Sequence, residues 1–128
     1  MAYGTTNVDT IQSSTANTPV VFKDGNGTQI GTLCRAWVNF NGTGTVAIRG
    51  SFNVSSITDN GTGSYTVNFT NAMPDANYSW SSISGSPGVT NGFTIVAAPS
   101  SSAVNLITIN VATQGVYDPV YVTAAVFR

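Results

Sequence analysis

At 128 residues the chain has the length of one ordinary domain. Only 7% of it is charged, with four Lys/Arg against five Asp and neither Glu nor His, where a soluble domain carries about 25%. A formal charge of −1 provides no basic field for phosphate backbones, which excludes nucleic acid as a general partner. The lack of His removes Ser-His and Cys-His nucleophile pairs and the commonest transition-metal ligand, and the single Cys34 permits no intrachain disulfide and no cysteine-cluster zinc site. No cofactor is expected.

The apolar residues are mostly Val, Ile and Ala, with Leu33 and Leu106 as the only leucines. β-branched side chains lose rotamer freedom in helices and pack well on a pleated sheet, so the composition predicts an all-β protein. No apolar run approaches the roughly 20 residues of a membrane helix. Residues 1–5 have neither a charged n-region nor an apolar h-region, so synthesis without a secretory signal is expected.

Residues 1–33 are polar and sparsely hydrophobic, with Ile11, Val20, Phe22 and Ile30 among their few bulky groups. Alone, such a stretch buries too little apolar surface to offset its ordering entropy, and it is expected to form an extended arm that packs on another chain. Within it, Asp24-Gly25-Asn26-Gly27 suggests a calcium loop, but the sixth and twelfth positions of that frame hold Gln29 and Arg35 instead of Gly and Glu. A tight turn is expected instead.

From Cys34 onward, short alternating runs are separated by turn residues. Ala36, Val38 and Phe40 alternate with Arg35, Trp37 and Asn39; Asn41-Gly42 then predicts a hairpin turn into a strand over 45–52. Val54 to Thr58 leads to a second such turn at Asn60-Gly61, and Tyr65, Val67 and Phe69 form the buried face of the next strand. Further strands are predicted over 78–83, 93–97, 104–111, with Ile107, Ile109 and Val111 as its repeating positions, and 120–127. Together they predict an antiparallel β-sandwich over residues 34–128. Loops at 71–77, 84–92 and 112–119 are expected to gather at one end as a binding surface.

Asp59, Asp75 and Asp118 are the acids available for glycoside chemistry, but each stands beside turn-forming residues where Asp is favoured anyway. No catalytic residue and no enzymatic activity are expected. The aromatic side chains are more informative, because their flat faces and polar tips suit stacking on sugar rings. Tyr78, Trp80 and Tyr117, next to loops, are the expected receptor-binding residues, whereas Trp37 and Tyr65 are read as core or subunit-contact residues.

The opening, with Gly4, the run Val8-Asp9-Thr10-Ile11-Gln12-Ser13-Ser14-Thr15 and Thr18-Pro19, is similar to N-terminal segments of tail fibre proteins of tailed bacteriophages. Residues 34–80, from Cys34-Arg35-Ala36-Trp37-Val38 to Asn77-Tyr78-Ser79-Trp80, resemble a β-rich module of tail fibre and related virion proteins, notably of aquatic phages. This resemblance implies a homotrimer in the virion tail, made in the host cytoplasm. It further implies attachment to other tail or virion proteins at the N-terminal end, and recognition of the host surface, expected to be glycan, at the other. In such a trimer Ile11, Val20, Phe22 and Ile30 would bury one another around the shared axis. Typical fibres carry a long shaft that this chain lacks, which keeps open a structural decoration or adaptor role on capsid or tail without receptor binding.

Overall fold

The computed structural model describes residues 8–15 and 20–128, except for the side chains of residues 89–91. Expectations that fall on Gly4, Thr18 and Pro19 lie outside the described residues. The chain divides into two units with the boundary between Leu33 and Cys34.

In the first unit, β1 (Phe22–Lys23) pairs antiparallel with β2 (Gln29–Gly31), a hairpin that the sparse sequence pattern does not announce. Its turn is tied by Asp24, whose Oδ1 accepts the backbone N–H groups of Asn26 and Thr28 at 2.9 Å each. Gly27 supplies the left-handed residue at φ +83°. The carboxylate is therefore spent on the turn, as expected. Ile11, Phe22 and Ile30 are exposed and Val20 is half-buried.

Residues 34–128 form β3 (Cys34–Asn41), β4 (Ala47–Phe52), β5 (Val54–Asp59), β6 (Ser64–Phe69), β7 (Ser79–Ser86), β8 (Val89–Pro99), β9 (Ala103–Asn110), β10 (Gly115–Val116) and β11 (Tyr121–Phe127). Every regular element among the described residues is a strand, as the composition predicts. All pairings are antiparallel within one sheet of order β4-β3-β11-β7-β8-β9-β6-β5, with β10 on β9. The two layers of the sandwich are thus halves of one curled sheet, nearly a closed barrel. Phe40 on β3 and Tyr65 on β6, with four strands between them in the sheet, meet edge to face with centroids 5.2 Å apart. The sheet's two edges, β4 and β5, are consecutive in sequence and joined through Asn53, at φ +55°. The Asn53 amide donates to the carbonyls of Arg35 and Asn71 at 3.0 Å, and its oxygen accepts from the Asn71 N–H at 2.7 Å.

The core is formed by Ala36, Val38 and Phe40, by Tyr65, Val67 and Phe69, by Val104 and Leu106, and by Val122, Ala124 and Val126, with Met73 and Tyr78 at one end. On β3, β6 and β11 these are the residues that the alternation predicts. On β9 the phase is the reverse of expectation: Val104, Leu106 and Thr108 face inward, and Ile107 and Ile109 face outward. Both faces of that strand are apolar, so alternation alone does not fix its orientation. Hydrogen bonding does, because Thr108 Oγ1 donates to the Tyr117 carbonyl at 2.6 Å.

The predicted turns form, with a different geometry. Neither Asn41 nor Asn60 adopts positive φ; that conformation falls to Gly44, Gly61 and Gly63, within connections over 42–46 and 60–63. Gly42 is needed for space instead, since a Cβ there would lie 2.5 Å from the Tyr65 hydroxyl and 2.9 Å from the Pro119 carbonyl.

The sheet has two poles. At the first, Cys34 and Arg128 lie with residues 53, 70–78 and 100–102, tied by bonds such as Met73 N–H to Ser101 O (2.7 Å). At the second lie the connections 42–46, 60–63, 87–88 and 111–120, tied by Gly42 N–H to Pro119 O and Val120 N–H to Ser86 Oγ.

Candidate functional site

The three loops expected to converge do not. Residues 71–77 are at the first pole and 112–119 at the second, while residues 84–92 are mostly strand, because β7 and β8 close in a tight turn with Gly88 at φ +81°. The expected receptor-binding aromatics are separated accordingly. Tyr78 is buried at the first pole, its ring edge to face with Phe69 and its hydroxyl donating toward the carbonyls of Ser100 and Ala103. Burial pushes its pKa upward. Trp80 stands directly opposite Val126 and packs on the core. Tyr78, just before β7, and Trp80, on it, are two residues apart and both face inward, so proximity to a loop is no guide to their exposure. Tyr117, at the second pole, is half-buried with its hydroxyl over Gly92, where any Cβ would collide with it.

The candidate catalytic acids serve the turns. Asp59 accepts the Gly61 N–H at 2.9 Å. Asp75 pairs with Arg128 at 2.5 Å and accepts the Asn77 N–H at 2.8 Å, and the Arg128 hydrogen bond holds its carboxyl below the usual range. Asp118 Oδ1 accepts the Gly63 N–H at 2.7 Å and the Tyr65 hydroxyl at 2.8 Å, while its carbonyl accepts from Thr43. Burial foremost, then the Asp118 hydrogen bond, raises the Tyr65 pKa well above that of a free phenol. Among the described residues no group of three or more His, Cys, Asp or Glu could hold a metal ion.

One accessible aromatic platform is Trp37, which sequence reading assigns to the core or to a subunit contact. It is 44% exposed. The signal was present: Trp37 alternates with Ala36, Val38 and Phe40, and if those face inward it faces out. Its six-membered ring leans across β4 onto Gly50, with ring atoms 3.4 and 3.5 Å from where a Cβ would sit. Beside it runs an open groove of about 340 Å³ over β3, β11 and β7, lined by Trp37, Asn39, Ser81, Ile83, Thr123 and Ala125 among others, none of them charged. The small Thr123 and Ala125 on the central strand β11 make its floor, and Asn39, Ser81 and Thr123 bring neutral hydrogen-bonding groups. Arg49 stands at the rim on the same face: its guanidinium donates to Oδ1 of the groove residue Asn39 at 3.3 Å and to the carbonyls of Phe40 and Val120 at 2.9 and 2.7 Å, and lies 5.0 Å from the Tyr121 ring centre.

No protein-family model matches the chain, and no curated protein does. Among solved structures it is similar to the phiAB6 tailspike, crystallised in complex with three-repeated oligosaccharides of Acinetobacter baumannii surface polysaccharide. The identity is 19% and the TM-score 0.43, over 95% of this chain and 30% of that one.

Proposed function

We propose that this protein is a bacteriophage tail fibre component that binds neutral glycans of the host cell surface. It acts as a homotrimer attached to the tail through residues 1–33. The observation that carries the glycan reading is the Trp37 groove: an accessible indole beside uncharged hydrogen-bonding side chains, over a floor of small residues. Sugar rings present apolar C–H faces to an aromatic plane and hydroxyls to neutral donors and acceptors. The lining itself is uncharged, with Arg49 at the rim held in hydrogen bonds to the protein, which favours neutral ligands whose contacts resist salt. The phage setting is supported by the resemblance in residues 34–80. Single sugar sites are weak, and engagement of several copies raises avidity by about 10²–10⁴. The role is binding without catalysis, a reading supported by the turn duties of Asp59, Asp75 and Asp118.

An array of bacterial surface polysaccharides tests this. The protein is expected to be retained on uncharged polymers at high salt, and Trp37→Ala to reduce retention at least tenfold. Equal retention of Trp37→Ala would refute the groove, and retention on no polysaccharide would refute glycan binding. The competing role is a decoration or adaptor on capsid or tail without receptor binding. Imaging of labelled particles separates the two: a fibre projects from the tail with one end free, and a capsid decoration lies flat.

A further inference from the structure

The outward row of β11 runs Tyr121, Thr123, Ala125. Thr123 and Ala125 are the floor of the groove beside Trp37, and Tyr121, next in the row and 52% exposed, stands at the groove's end toward the second pole. Its ring is fixed by Arg49. Nη1 of that side chain donates to Asn39 Oδ1 and the Phe40 carbonyl at 3.3 and 2.9 Å. Nη2 donates to Asn41 Oδ1 and the Val120 carbonyl at 3.4 and 2.7 Å. Each Nη carries two hydrogens, so both are fully used. The guanidinium is thereby pinned 5.0 Å from the Tyr121 ring centre, where a cation is attracted to an aromatic face. These acceptors lie on β3 and just before β11, so Arg49 occupies the β3 side of the ring. On the β7 side the residue opposite Tyr121 is Gly85, and a Cβ there would meet nothing within 4 Å. The ring thus has a charged neighbour on one side and open space on the other, next to the groove residues Ile83 and Thr123.

We infer that Tyr121 is a second sugar-stacking platform in the Trp37 groove, and that the ligand is an internal stretch of an extended neutral polysaccharide laid along β11. The inference rests on the glycan reading of the groove and adds its length requirement. At a rise of about 3.3 Å per residue, Tyr121 is about 13 Å along the strand from Ala125, the residue opposite Trp37. No single sugar ring reaches both ends. Arg49 acts as a positioning residue, since its Nη donors are spent on the protein, and a ring oriented before binding loses little further freedom when a sugar stacks on it. Gly85 supplies the room: any side chain at that position would take the place of the sugar.

NMR titration tests this, with size-graded oligosaccharides cut by partial hydrolysis from a neutral polysaccharide that retains the wild type. Wild-type affinity is expected to rise with fragment length until both rings are spanned. Tyr121→Thr, which keeps β propensity, is expected to weaken long fragments by about three- to tenfold and leave short ones unchanged, with an unaltered circular dichroism spectrum. Tyr121→Phe is expected to match the wild type. Gly85→Val keeps the ring but fills the space beside it, and is expected to reproduce the loss; should Tyr121→Thr lose its sheet signal, Gly85→Val decides alone. Trp37→Ala is expected to weaken fragments of every length. Long fragments bound by the folded variants as tightly as by wild type, or a single sugar bound as tightly as a long fragment, would overturn the second platform and leave the groove standing. Long-fragment binding that also survives Trp37→Ala, or retention on no polysaccharide, would overturn both.

Discussion

Tyr65 shows how one side chain organises a pole. It is fully buried, and its hydroxyl reaches the Asp118 carboxylate and has the Gly42 carbonyl 3.0 Å away. Three connections distant in sequence are thereby held together, and Gly42 is required because no Cβ fits against that hydroxyl. Tyr65→Phe keeps the ring contact with Phe40 and is expected to cost about 1–2 kcal/mol in urea unfolding through the lost hydrogen bond. The same residue sets an alkaline limit. Its pKa is raised in the folded state, so its contribution is fully present below the unfolded value of about 10 and is lost as pH rises toward the folded value. Stability measured from pH 8 upward is expected to fall more steeply above about pH 10 in the wild type than in Tyr65→Phe.

At the scale of elements, closure of the sheet depends on the link between β4 and β5. Asn53 adopts a left-handed conformation that favours Asn or Gly, and its side chain ties the start of β3 to the segment after β6. Asn53→Ala loses both features and is expected to cost about 2–3 kcal/mol. Asn53→Gly recovers the backbone part and is expected to fall between Ala and wild type in denaturant midpoint. Equal midpoints for the Gly variant and wild type would show that the side-chain bonds contribute nothing.

At the scale of the molecule, the buried core among the described residues is drawn from residues 34–128. A fragment of those residues is expected to unfold cooperatively with the β-sheet spectrum of the full chain; an unfolded fragment would show that residues 1–33 are needed for folding. The outer surface of this unit carries an aromatic groove on β3, β11 and β7 and, away from it, a polar ladder on β5 and β6.

Composition and alternation by themselves determined the all-β class, the antiparallel strands, and the buried faces of β3, β6 and β11, because a period of two with one apolar set leaves a single way to bury it. Only the tertiary structure decided the rest. On β9 both faces are apolar, and on β7 aromatic and serine positions share a face, so the orientation waited on hydrogen bonds from Thr108 and on the pairing of Trp80 with Val126. The loops fell at opposite poles because strand direction, which follows from pairing order, assigns each connection to an end. That order joins strands far apart in the chain, and local pattern carries no record of it. Tyr78, Trp80 and Tyr117 were thus drawn inward while Trp37 was left at the surface.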